Sequence, residues 1–289
     1  MSEISGVVPF YKESGVTSFT AMRKVSRLFG AGKAGHAGTL DPLAEGVLPI
    51  LLGGATKAAD FLPDNTKEYA ADFMFGIETD TEDITGKVLA NYDKLVTETE
   101  LRDVLPRFVG ELTQKPPMYS AVKVGGKKLY ELARQGKEIE REPRSFTVYS
   151  LNLLSYDSNA GKLLVSCAKG TYIRTLIADI AKALGTGGVM TALVRTKSGG
   201  IDASQCKRLA ELESLSLEQA VIPLEQMFSG LPRLQLDERQ TYLWRNGVKF
   251  SAEVARDVTT AVFSSENRLF GLVNGCDETL RIVQRFNTN

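Results

Sequence analysis

Between Thr171 and Leu184, apolar residues recur at Ile173, Leu176, Ile177, Ile180, Ala181 and Leu184. That spacing puts them on one face of a helix, and Gly185 stands where a C′ glycine would close it. Lys67 to Ile77 alternates instead, with Tyr69, Ala71, Phe73 and Phe75 on one face of a strand. Val47 to Leu52 is a continuous apolar run that reads as a buried strand. Thr17-Ser18 reads as the N-cap of a helix to about Phe29, with Phe19, Met22, Val25 and Leu28 on one side. Thr56 to Leu62 predicts a short helix closed by Pro63, and Thr97-Glu98-Thr99-Glu100 a capping box before a helix burying Leu101, Val104, Leu105 and Phe108. Val122 to Lys127 suggests a hairpin, with a helix from Leu129 to Gln135 stopped by Gly136. Phe146 to Tyr156 and Lys162 to Ala168 pair as strands across Asn159-Ala160-Gly161, and Val189 to Lys197 adds another strand. Ser216-Leu217-Glu218-Gln219 is a second capping box.

Helices and strands therefore mix without regular βαβ alternation. That order predicts an α+β fold with a mixed, largely antiparallel sheet flanked by helices. Ser229-Gly230-Leu231-Pro232 marks a boundary, giving domains 1–229 and 230–289. The second would hold a capped helix from Asp237 to Arg245, the turn Asn246-Gly247 and several short strands ending in Leu280 to Phe286. A piece of that size is marginal alone and leans on the larger one.

Composition narrows the class. The 289 residues are 43% hydrophobic and 24% charged, as in an ordinary globular protein. No apolar run approaches the roughly twenty residues of a membrane span. Met1-Ser2-Glu3-Ile4-Ser5-Gly6 lacks the basic start and apolar core of a signal peptide. Cys167, Cys206 and Cys276 are few, odd in number and widely spaced, which fits reduced thiols in the cytoplasm. A single histidine leaves no plausible zinc set. Net charge is zero, but unevenly distributed. Lys115 to Arg144 holds eight Lys/Arg against four Glu, whereas Glu78 to Glu111 holds nine acids against four bases. Such a polarised surface permits a polyanionic partner on its basic side, although runs of this kind also serve as solvated faces.

The stretch Gly35 to Pro49 organises the chemistry. Its three glycines and two prolines break any regular ladder, yet it leads straight into the buried Val47 run. Asp41, ahead of Pro42, is biased away from the α region, which would hold a carboxylate in a fixed, presented position. Asp-Pro equally initiates ordinary turns. Just upstream, Gly30-Ala31-Gly32-Lys33-Ala34-Gly35 spells a dinucleotide fingerprint in the wrong context, because a helix precedes it where a strand is required.

Gly35-His36-Ala37-Gly38-Thr39-Leu40-Asp41-Pro42 resembles the active-site loop of the TruB family of tRNA pseudouridine synthases. Lys67-Glu68-Tyr69 resembles the strand bearing that family's active-site tyrosine, and Pro116-Pro117-Met118-Tyr119-Ser120-Ala121-Val122-Lys123 its proline-rich substrate segment. Gly170-Thr171-Tyr172-Ile173-Arg174-Thr175-Leu176 resembles the motif with the arginine that pairs with the aspartate. Leu193-Val194-Arg195-Thr196-Lys197-Ser198-Gly199 resembles the late strand that closes the pocket. Val194 stands where the family often has a second arginine, and Ile201 where an aromatic is usual.

The resemblance implies a pseudouridine synthase catalytic fold with a small, β-rich, PUA-like RNA-binding domain at the C-terminus. It implies isomerisation of the T-loop uridine of tRNA, at position 55, from an N-glycosidic to a C-glycosidic bond without a cofactor or metal. Asp41 would be the catalytic carboxylate. Arg174 would keep it ionised, and Tyr69 would stack on the flipped uracil and help remove the proton at carbon five. His36 would help flip the nucleotide, Tyr119 and Lys123 would shape the pocket with Tyr172, and Leu193 would pack beneath the base. The partner would be the T-arm stem-loop of tRNA, met through the basic 115–144 segment and the C-terminal domain. The enzyme would be a cytoplasmic monomer with no membrane and no obligatory protein partner. A tRNA chaperone is the rival from another class, and the intact Asp41, Tyr69 and Arg174 set speaks against lost catalysis.

Overall fold

The computed structural model describes residues 5–120, 122–133, 135–137, 139–276 and 279–286. In chain order, strand β1 (Gly6–Lys12) leads to α1 (Ser18–Leu28), the short β2 (Ala34–His36) and β3 (Glu45–Leu52). Next come β4 (Lys67–Phe75), the hairpin β5 (Ile77–Thr79) and β6 (Val88–Asn91), α2 (Glu98–Val104) and β7 (Gly110–Gln114). The small hairpin β8 (Lys123–Val124) and β9 (Lys127–Lys128) precedes α3 (Leu129–Ala133) and the long pair β10 (Arg144–Asp157) and β11 (Ala160–Cys167). Helix α4 (Ile173–Ala183) is followed by β12 (Gly188–Ser198), β13 (Ile201–Asp202) and the short helices α5 (Leu209–Leu212), α6 (Leu217–Ala220) and α7 (Leu224–Met227). The tail holds β14 (Arg233–Gln235), α8 (Glu238–Arg245), β15 (Thr259–Phe263), β16 (Leu269–Cys276) and β17 (Thr279–Arg285). The fold is α+β, as the mixed element order predicts.

Contacts divide the chain into two compact units. The first takes the chain up to Pro42, Gly46–Asn65 and everything from Ser198 on; the second takes Leu43–Glu45 and Thr66–Lys197. In the first unit β1 and β2 both pair antiparallel with β3, which is buried along nearly its whole length. The tail sheet runs β14-β15-β16-β17, antiparallel except for the parallel β14–β15 pair. One apolar cluster joins Val7 and Leu51 to Phe228, Phe263 and Phe286. A smaller one, around Trp244 and Phe270, belongs to the tail alone.

Strands of the second unit lie in the order β12-β4-β11-β10-β7. The alternation along β4 is borne out: Tyr69, Ala71, Phe73 and Phe75 are buried and the intervening residues are not. Helix α4 buries the expected stripe and packs against β4, and Gly185 closes it at φ 74°. The capping box at Thr97 forms in full.

Three expectations shift. Helix α1 buries Ser18, Ala21, Met22 and Val25, whereas Phe19 is 62% exposed, because the buried stripe begins one residue earlier than the apolar pattern suggests. The helix placed over Thr56–Leu62 is a 3-10 segment at Gly53–Ala58, where two glycines start a tighter turn. The β10–β11 turn is made by Ser158 and Asn159, both at positive φ, one residue earlier than read. The fingerprint-like glycine string runs from the end of α1 into β2, so a helix precedes it and no helix opens from it. Among the described residues no helix is long and apolar enough to cross a membrane.

Candidate active site

In the first unit, the Asp41 loop is anchored on both sides of the carboxylate. The Ser18 hydroxyl, at the start of α1, accepts from the Leu40 N–H at 2.8 Å and donates to the Leu40 carbonyl at 3.0 Å. Leu40 itself is 3% exposed, so water cannot replace this clamp. On the other side the Pro42 carbonyl accepts from the Gly15 N–H at 2.8 Å. Lys12, fully buried, donates its ammonium to the carbonyls of Val16, Glu13 and Pro42 at 2.8, 3.0 and 3.4 Å. Asp41 is left half-buried between two fixed neighbours. Upstream, β2 holds His36 opposite Ile50, half-buried, and the Ala37 N–H continues the pairing to the Pro49 carbonyl. The loop is thus packed and feeds a buried strand, as its sequence suggests.

In the second unit, Tyr69 on β4 is 6% exposed and lies opposite Val165 of β11. Leu193 is buried on β12, the strand beside β4. Two residues before Tyr69, Lys67 pairs in register with Cys167. Burial, and then the Arg195 guanidinium, push its ammonium down to about 8. Burial pushes the Cys167 thiol up to about 11.

Tyr172 caps α4, and Gln114 of β7 grips its backbone twice: the Tyr172 N–H donates to Oε1 and its carbonyl accepts from Nε2, both at 2.9 Å. Two residues on, Arg174 is 4% exposed, near the core as its place beside Ile173 suggests. Its guanidinium donates to the carbonyls of Thr81 and Tyr119 at 2.8 and 2.9 Å, and Asp83 lies 3.6 Å away. Tyr119, Tyr172 and Arg174 are therefore brought together. Lys123 lies in the β8–β9 hairpin, and its side chain is outside the described residues.

The partners of Arg174 were not foreseen. Asp83 takes hydrogen bonds from the Thr81 hydroxyl at 2.9 Å and from the N–H and hydroxyl of Thr85. Its neighbour Glu82, at φ 62°, accepts from the Thr175 hydroxyl at 2.5 Å. Burial pushes the Glu82 carboxyl above its ordinary range, against the opposing pull of that hydrogen bond and of Arg174. The sequence signal was Thr79-Asp80-Thr81-Glu82-Asp83 closed by Gly86, which reads as one more acidic run. Gly86 has a reason: a Cβ there would press into Thr81 Oγ1 and lie 2.6 Å from Asp80 Oδ1. Among the described residues no group of His, Cys, Asp and Glu is placed to hold a metal ion.

Known proteins carry the same sequence pattern. Residues 26–173 match the model of the TruB family pseudouridylate synthase N-terminal domain, and residues 174–229 match that of the tRNA pseudouridylate synthase B C-terminal domain. The tRNA pseudouridine synthase B of Clostridium tetani is 39% identical over 287 residues, covering 97% of this chain and 99% of that protein. The chain belongs to the TruB family. Its counterpart of the same name in Pseudomonas aeruginosa is 45% identical over 251 residues, 84% of this chain and 83% of its own. In fold, this TruB-family chain is like a chain in the structure of an H/ACA ribonucleoprotein bound to a substrate RNA containing 2′-deoxyuridine. The TM-score is 0.73 at 22% identity, covering 98% of this chain and 85% of that one. The chain is a pseudouridine synthase, an isomerase, and every motif quoted above falls inside the matched span. The tail from Gly230 lies beyond both family models.

Proposed function

We propose that this enzyme converts the T-loop uridine at tRNA position 55 into pseudouridine, with Asp41 as the catalytic carboxylate. The observation that carries the reading is the end-to-end likeness to proteins named tRNA pseudouridine synthase B. The Asp41 loop supports it, since a carboxylate fixed on both flanks is ready to attack without reordering. Asp41 attacks the nucleotide, the bond from ribose to the base nitrogen breaks, a bond from ribose to carbon five forms, and the bond to Asp41 is broken to free the carboxylate, while the released nitrogen takes up a proton. The proton at carbon five is then lost to solvent, with Tyr69 assisting its removal.

Arg174 is the cation that keeps the carboxylate ionised, a role that rests on the likeness of the Gly170-Thr171-Tyr172-Ile173-Arg174-Thr175-Leu176 motif. Tyr69 stacks on the uracil, Leu193 packs beneath it, and His36 stacks in the loop from which the uridine is flipped. Tyr119, Tyr172 and Lys123 shape the pocket. The T-arm is met through phosphates and shape by the basic 115–144 segment and by residues 230–289, a PUA-like RNA-binding domain beside the catalytic domain of residues 1–229. The enzyme works as a cytoplasmic monomer, without cofactor.

Tritium release from tRNA labelled at carbon five of uridine tests the reading. Wild type releases one equivalent per tRNA, whereas Asp41→Asn and a transcript lacking the T-loop uridine release none. Substantial release by Asp41→Asn, with RNA binding intact, would overturn the assignment.

A further inference from the structure

The second unit contains a cavity of 670 Å³ that none of the steps above uses in full. Its lining comes from the end of α4 and the turn into β12, from the β5–β6 hairpin, and from residues on either side of α3. The volume lies within the range of small-molecule sites.

Two features give this cavity a chemistry. Glu82 and Asp179 both line the cavity, close enough that the charge on Asp179 opposes ionisation of Glu82. Burial pushes the Glu82 carboxyl up, and partial desolvation does the same to Asp179, which stays exposed on α4, against the pull of Lys182. Lys137, Arg141 and Lys182 line the same space, as do Tyr119 and Tyr92, the latter held by its hydroxyl bond to Glu78.

A simple cation would meet three basic side chains here, and a simple anion would meet the carboxylates. The ligand must carry N–H donors, an anionic group and a flat body to lie against tyrosine rings. A nucleotide has all three, and guanine alone among the common bases offers adjacent ring and exocyclic N–H donors on one edge, matching the two oxygens of a carboxylate. We propose that this cavity binds a guanine nucleotide, with the N–H edge of the base on Glu82 and Asp179 and the phosphate toward Lys137, Arg141 and Lys182. The nucleotide is either free in solution or part of the RNA. Only the second source rests on the tRNA reading above.

Calorimetric titration of the full chain with GMP, IMP, AMP, UMP and inorganic phosphate tests the first source. GMP is expected to bind at least tenfold more tightly than AMP or UMP, and Asp179→Asn to erase most of that preference. If free GMP does not bind, the RNA source is tested by replacing T-arm guanosines singly with inosine, which lacks the exocyclic amine. One such replacement should weaken binding to wild type and not to Asp179→Asn. Binding of phosphate as tight as that of GMP, or the absence of both a GMP preference and an inosine effect, overturns the proposal. Tritium release by the wild type is unaffected by that result, so failure of this site and failure of the tRNA reading are distinguishable.

Discussion

Replacing Ser18 by alanine tests whether the Asp41 loop is held from a distance. The Ser18 hydroxyl is the partner of both the N–H and the carbonyl of Leu40, at 2.8 and 3.0 Å. Ser18 is 2% exposed and Leu40 3%, so the variant leaves two buried backbone groups unsatisfied with no water to take over. At about 1–3 kcal/mol for each orphaned group, and with some relaxation of the loop, the loss of stability should be about 2–4 kcal/mol. That is a large share of a typical domain's roughly 5–15 kcal/mol. Asp41 is the next residue, so the same change should loosen the carboxylate. A displacement near 1 Å is worth about a hundredfold in rate. Urea unfolding measures the first effect, and single-turnover tritium release under conditions where the variant is fully folded measures the second. RNA affinity should stay within about threefold. A stability loss below about 0.5 kcal/mol would show that the clamp carries no energy. A full stability loss with an unchanged single-turnover rate would show that it does not position Asp41.

Two further outcomes follow from the second unit. Lys67 has its ammonium lowered from 10.5 to about 8, first by burial and then by Arg195. Between those values the unfolded chain binds more protons than the folded one, so the lysine's contribution to stability rises with pH through that window and its penalty is full below about pH 8. Lys67→Met should therefore be more stable than wild type at neutral pH, by up to about 3 kcal/mol, with the gap closing toward pH 10; a pH-independent gap in urea unfolding would contradict this. Gly86→Ala forces a Cβ into the Thr81 hydroxyl and Asp80. It should cost about 1–3 kcal/mol and slow turnover more than it weakens RNA binding, since Thr81 holds Arg174. Equal stability of the variant and wild type would show that the loop adapts.

What could be read from the chain was local. The α4 stripe, the β4 alternation and the Thr97 capping box each depend on residues within a few positions of one another, and each forms as expected. Phe19 misled because apolarity alone does not say which side of an amphipathic helix faces the protein; the buried side of α1 includes Ser18, and what recommends it is a hydroxyl bond to Leu40. Asp83 was unreadable for the same reason at greater range. Its contact with Arg174 spans most of the second unit in sequence, and nothing in an acidic run tells a buried partner from a solvated face.

The two charged groups proposed for catalysis are presented by one device used twice, once in each unit. Neither Asp41 nor Arg174 sits on a long regular element far from a chain irregularity: one follows a glycine-rich loop and the other opens a helix. Such positions leave backbone N–H and carbonyl groups without ladder partners. In each case a polar side chain from a distant segment grips both backbone groups of a nearby residue. Ser18 holds Leu40 across 22 positions, one residue before Asp41; Gln114 holds Tyr172 across 58, two before Arg174. Each clamp serves a donor and an acceptor with one buried side chain, which removes the local alternatives that would let the loop or helix start fray. Both groups are therefore ordered before RNA arrives. On the proposed function, the free energy of RNA binding then need not order them and remains available for unstacking the uridine.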